Sequence, residues 1–285
     1  MNSTEVRGRL VDMLRRDLIG PLPEDVCPGD AELQRERLDA RNEPSWWYLT
    51  GFIAPVGADA QALEDDMFPG EGGAAWAAQA NRIHGTDRMI GLFEDAFPVD
   101  AVTEEEAARA TAFFTAEPGA TIAEAELATR RAFLDPAIEE AAGEAFREAV
   151  VEEDPRLDLL TGFIDANDLV ERNVSGALNS NFAFYRGLAD GDAFEVDIPE
   201  DLMLNEVWGQ EAQLRRDTVQ WLYSFQLAAY SGLSDADLEA YIAFSETGAG
   251  QALNAALFAA FDVMFEQLSY ELGQSAAVFI AGEDA

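Results

Sequence analysis

Apolar positions in this chain recur at helical spacing, three or four residues apart, and no run of alternating residues reads as a strand. Residues 4–18 set Val6, Leu10, Met13 and Leu14 among Arg and Asp, and Gly20-Pro21 ends that helix. Pro23, Pro28 and Gly29 make a loop, and residues 31–41 form a short charged helix. The string WWYLTGFIAP at 46–55 follows Pro44 and reads as an extended apolar stretch. A segment this small cannot bury Trp46, Trp47 and Tyr48 by itself, so these three are expected to form a docking or partner surface.

From about residue 62 the chain becomes a series of Ala-, Glu- and Phe-rich helices. Thr103 with Glu106, and Ser234 with Asp237 or Asp235, read as N-terminal caps ahead of apolar periodic runs. Breaks are expected at Pro69-Gly70, Pro98, Pro118-Gly119, Pro136, Pro155, 187–191, Pro199 and 248–250, which leaves about nine helices. The fold class is therefore all-α. It divides into an appendage over 1–58 and a helical domain over 62–285.

An internal repeat is superimposed on this pattern. At an offset of 131 residues, Thr103 pairs with Ser234, Glu104 with Asp235, Phe113 with Phe244 and Gly119 with Gly250. Trp76 and Trp208 correspond at an offset of 132. Two related helical bundles packed face to face are expected, with residues 158–161 and the stretch to Leu188 as the bridge between them.

Charge sharpens the division. The first 55 positions hold seven of the 18 basic residues against ten acids, whereas 56–285 hold 11 against 45. Every basic residue is Arg, through coding bias or halophily, and the formal net charge is −37. A surface so acidic repels phosphate backbones and anionic lipid, which disfavours direct nucleic-acid or membrane binding. It would also suit a protein that imitates DNA. Cys27 is the only cysteine, so neither an internal disulfide nor a thiolate cluster is possible. No apolar run of signal-peptide or membrane-span type is evident, and a cytoplasmic protein is expected from the sequence as written.

Two resemblances follow from particular strings. LRRDLIGP at 14–21, RERL at 35–38 and PSWWYLTGFIAP at 44–55 resemble the opening segment of DISARM-type phage-defence helicase-like proteins. No GxxxxGK[ST] loop accompanies them, so that family's ATPase activity does not carry over. DMFPGEGGAAW at 66–76, DPRLDLL at 154–160, NDLVERNVSGALNSNFAFYRGLADG at 167–191 and LSDADLEAYIAFSETGAGQALNAALFAAFD at 233–262 resemble the bacterial domain-of-unknown-function family 2059. That resemblance implies a small helical, exported protein and a periplasmic location if the N-terminus is not native; it supplies no catalytic residues. The abrupt change between Pro55 and Asp66 fits a natural fusion, a wrongly assigned start or an artificial join, with the last favoured.

Candidate chemistry is sparse. His84 is the only histidine and lies beside Gly85 at an expected helix end, where the dipole favours its charged form. Neither HExxH nor GxSxG occurs. Glu140, Glu144, Glu148 and Glu152 would line one helix face, but one face cannot surround a hard cation. Catalytic, cofactor-binding and metal residues are accordingly read as none. The most unusual element is the helix around 165–188, in which Asn167, Asn173, Asn179 and Asn181 punctuate an apolar stripe. With Arg186 as an anion anchor they form either a polar pocket between the bundles or hydrogen bonds that fix packing register. On the last helix, Leu257, Phe261, Met264, Phe265, Leu268 and Leu272 make a wide core face. The leading expectation is a non-enzymatic protein acting through contact with a protein partner, of undetermined oligomeric state. The alternatives are a DNA-mimicking inhibitor of a defence or nucleic-acid enzyme, and a carboxylate-dependent enzyme.

Overall fold

The computed structural model describes residues 63–65, 67–194 and 196–282, and among them every regular element is helical. Eleven α-helices follow one another: α1 (Gly73–Ile83), α2 (Thr86–Ala96), α3 (Glu104–Phe114), α4 (Gly119–Ala132), α5 (Pro136–Val151), α6 (Arg156–Ala166), α7 (Leu169–Asp190), α8 (Glu200–Gly209), α9 (Glu211–Ala229), α10 (Asp235–Ser245) and α11 (Gly248–Ile280). The all-α reading holds. The expected count of nine was low because short turns, such as His84-Gly85 and Asn167-Asp168, separate helices without a proline. The appendage over 1–58, with Trp46, Trp47 and Tyr48, lies outside the described residues.

Contacts divide the described chain into two units. One comprises residues 97–172 and 216–259, the other 63–96, 173–215 and 260–282. The division falls inside α7, α9 and α11.

In the first unit the expected caps form. Thr103 and Glu106 make a reciprocal capping box at α3, and Ser234 and Asp237 make another at α10. Each box satisfies two backbone donors that a helix start would otherwise expose. Beyond each helix lies the same tight turn. A Cβ built on Gly119 would sit 2.2 Å from the carbonyl oxygen of Phe113, and one built on Gly250 would sit 2.3 Å from that of Phe244. The two phenylalanines stack on each other, 4.2 Å between centroids and 6° between planes.

These two hairpins therefore lie in one unit and touch, rather than heading two separate bundles. The upstream pair differs in environment: Trp76 is fully buried, whereas Trp208 is 62% exposed. Residues 158–161 and the stretch to Leu188 are parts of α6 and α7, and α7 runs from one unit into the other. The rest of this core is aromatic. Trp221 stacks on Phe225 and Phe133 meets both edge-on, while Phe163 lies against Tyr230 and Tyr241. Arg156, at the start of α6, donates to the carbonyls of Tyr230 (2.5 Å) and Leu233 (2.9 Å) and to Asp235 (2.8 Å). One guanidinium thus ties the end of α9 to the start of α10.

In the second unit Phe68, Trp76, Ala80, Leu188, Ala276, Ala277 and Phe279 form the core. Phe279 stacks on Phe68 at 5.5 Å and meets Trp76 edge-on at 5.6 Å. The start of α1 is capped from a distance, since Oε1 of buried Glu64 accepts from the amides of Gly72 (3.2 Å) and Gly73 (2.8 Å). A carboxylate is well suited to the positive end of a helix.

The principal constraint is a glycine contact between α7 and α11. A Cβ on Gly187 would lie 2.1 Å from the carbonyl oxygen of Tyr270, and one on Gly273 would lie 2.2 Å from that of Phe184. The expected break at 187–191 falls at the far end of that range, after Asp190. The helix continues through Gly187 to Asp190, because that glycine serves close approach rather than termination. On α11, Phe261, Met264, Phe265 and Leu268 are buried, as its apolar face predicts. Among the described helices α11 alone is long and apolar enough to cross a membrane, and half of its most apolar window is buried within the protein.

The glycines give a paired test. Gly187→Ala and Gly273→Ala force backbones apart and should each cost about 2 kcal/mol or more by denaturant melt. Gly91→Ala, in α2 with nothing within 4 Å of its Cβ, should gain about 0.5–1 kcal/mol from helix propensity.

Candidate functional site

The asparagines differ in burial and in partners. Asn167 is buried at the end of α6, where its Nδ2 donates to the Phe163 carbonyl (3.0 Å) and its own carbonyl accepts from Asn254 Nδ2 (2.8 Å). Asn173 is buried on α7, while Asn181 Nδ2 donates to Gln210 Oε1 (2.9 Å). Asn179 and Arg186 are exposed. The bonds of Asn167, Asn181 and Asn254 suit packing register, with helix ends and neighbouring helices as partners.

The other sequence candidates differ likewise. Glu140, Glu144, Glu148 and Glu152 stand exposed in a row along α5 and at its end, as a solvated face would. Among the described residues no group of three His, Cys, Asp or Glu side chains is placed to hold a metal ion. His84 terminates α1, with Nδ1 2.9 Å from the Ala80 carbonyl oxygen. Burial, with the charge of Arg88 as a smaller contribution, lowers its pKa to about 4. The helix-end dipole that would favour the charged ring is thus outweighed. Arg88 itself pairs with Glu271 at 2.5 Å and donates to the Ile83 carbonyl at 2.6 Å.

A buried polar network escaped the sequence reading. Glu126 on α4 accepts from Tyr230 Oη at 2.7 Å and Tyr241 Oη at 3.4 Å through Oε1, and from Arg130 Nη2 at 3.2 Å through Oε2. Arg130 is 5% exposed and its guanidinium lies 5.1 Å above the Phe225 ring. Burial and the Glu126 charge push both tyrosine hydroxyls well above their usual pKa. The network joins α4 to the end of α9 and to α10. Its only local signature was the Glu126–Arg130 spacing of four, which is equally the mark of an exposed pair.

What the second unit does present outward is α8. Its Met203 and Val207 are buried, but Leu202, Leu204 and Trp208 are exposed by 55%, 37% and 62%. Leu204 and Trp208, four residues apart, share one face. Glu200, Asp201 and Glu206 are exposed on the same helix, which carries no basic residue. Trp208 was noticed in the sequence only as a repeat position. Its isolation from the core could not be inferred from a helical period that fits burial equally well.

No family model, curated protein or solved structure matches the chain.

Two titration and charge tests follow. Because His84 is held neutral when folded, its contribution to stability is complete above pH 6.5 and is lost as pH falls toward and below 4. His84→Gln should therefore lose about 3 kcal/mol less than the parent protein between pH 7 and pH 3.5, measured by urea melts. Glu126→Gln strands the Arg130 charge and should cost about 3 kcal/mol or more at pH 7, with Glu126→Gln/Arg130→Met recovering part of it.

Proposed function

We propose that the protein is a non-enzymatic binding module that works by protein–protein contact, with α8 as the contact. The observation that carries this reading is the exposure of Leu202, Leu204 and Trp208 together on one ten-residue acidic helix. Large apolar side chains left in water have a cost, and tryptophan is the residue most enriched among those that dominate interface energies. The flanking Glu200, Asp201 and Glu206 define the complement: an apolar cleft ringed by Lys or Arg on another protein. The overall charge of −37 would speed the encounter and make it salt-dependent.

The composition suits a direct test. The chain has 55 carboxylate residues and no lysine, so a carbodiimide links it to the lysines of a partner without linking its own side chains to one another. Cross-links formed in a cell extract should map to Glu200, Asp201 and Glu206, and Trp208→Ala should reduce their yield by about tenfold at unchanged salt. Cross-links scattered over the acidic surface and indifferent to Trp208→Ala would overturn the reading. That outcome, with competition by duplex DNA for the captured protein, would instead favour the DNA-mimicking reading.

A further inference from the structure

A groove of about 570 Å³ in the second unit runs between α1 and the last turns of α11. Its walls are two complementary helix faces. Ala75, Ala78, Gln79 and Arg82 come from one, and Glu271, Gln274, Ser275 and Val278 from the other, with Phe279 beneath. Both sets follow the spacing of a single helical stripe, so the groove is continuous over the length of both. Two of the four α1 residues in its wall are alanines, where larger side chains would narrow it.

The groove is polar at one end and apolar at the other. At the polar end side chains are held in a chain of hydrogen bonds: Arg82 Nε donates to Gln79 Oε1 (3.2 Å) and Gln79 Nε2 to Ser275 Oγ (3.1 Å). Glu271, the carboxylate lining this end, is occupied by Arg88 (2.5 Å) and by Gln267 Nε2 (3.2 Å). Arg82, Arg88 and Glu271 therefore leave one uncompensated positive charge, and that charge is Arg82. Arg82 is held beside the groove through Gln79 and, among the described residues, has no carboxylate partner. The apolar end is made by Ala75, Val278 and Phe279.

We propose that this groove binds a small amphiphilic carboxylate, with its head on Arg82 and its apolar body toward Phe279. Seven residues of helix separate Ala75 from Arg82, a distance of about 10 Å, which suits a short acyl or aryl chain. The two Nη groups of Arg82 offer the paired donors that a carboxylate accepts, and Gln274 adds an amide at the rim. This site is independent of α8. Each proposal can fail without the other.

Sodium octanoate is the probe, read by isothermal titration calorimetry on the full chain and by methyl NMR of Ala75, Ala78 and Val278. Octanoate should bind with sub-millimolar Kd and shift those methyls, while acetate and octylamine bind at least tenfold more weakly. Arg82→Gln, on an exposed side chain, should weaken octanoate about tenfold without lowering Tm, and Ala78→Phe should fill the groove and abolish the methyl shifts. Arg147→Gln serves as the charge control, because that arginine also lacks a carboxylate partner among the described residues but lies in the other unit. No saturable heat up to 10-fold above the expected Kd, or an equal loss with Arg147→Gln, would overturn the assignment.

Discussion

The second unit depends on two helices that approach until their backbones leave no room for a methyl group. Gly187 faces the Tyr270 carbonyl and Gly273 faces the Phe184 carbonyl, so the exclusion is reciprocal. Close packing of this kind favours the folded chain through dispersion rather than through the burial of large side chains. It also fixes the register of α7 on α11, because a slide of one residue would put a Cβ where only hydrogen fits. The positions of Leu188, Ala276 and Ala277 in the core follow from that register. So does the location of Phe279, on which Phe68 and Trp76 assemble.

What the sequence disclosed was local. Thr103 with Glu106 and Ser234 with Asp237 could be read because a capping box spans four residues and needs no third party. The buried stripe of α11 could be read because its period is that of the helix itself. The contacts that define the sites are of another kind. Tyr230 reaches Glu126 across 104 residues, and Gln79 reaches Ser275 across 196. Neither residue type announces a distant partner. Which residue of 187–191 ends α7 was hidden for the same reason: a glycine that ends a helix and one that admits another backbone look alike until the second backbone is in place.

Charge is managed by position more than by pairing. Acids occupy helix starts, as Glu106 and Asp237 do in their boxes, where hydrogen bonds to Thr103 and Ser234 hold both carboxyls below their usual pKa. Three arginines answer a carboxylate within their own helix, Arg109 with Glu105, Arg130 with Glu126 and Arg215 with Glu211. The exposed pairs among them, such as Arg109 with Glu105, contribute little to stability. The structural burden falls on the few guanidinium groups with long-range partners, among them Arg88 and Arg156.

Arg156 gives the fold something its composition otherwise denies it. A chain with a single cysteine cannot cross-link itself covalently. Yet one guanidinium holds the carbonyls of Tyr230 and Leu233 and the carboxylate of Asp235, 74 to 79 residues away. In topological terms it closes a loop as a disulfide would, and it does so without any sensitivity to thiol reagents or to redox potential. Its weakness is chemical likeness. Guanidinium ions in solution offer the same planar donors to the same oxygens, so this closure is one that guanidinium chloride can displace by imitation whereas urea must dissolve it.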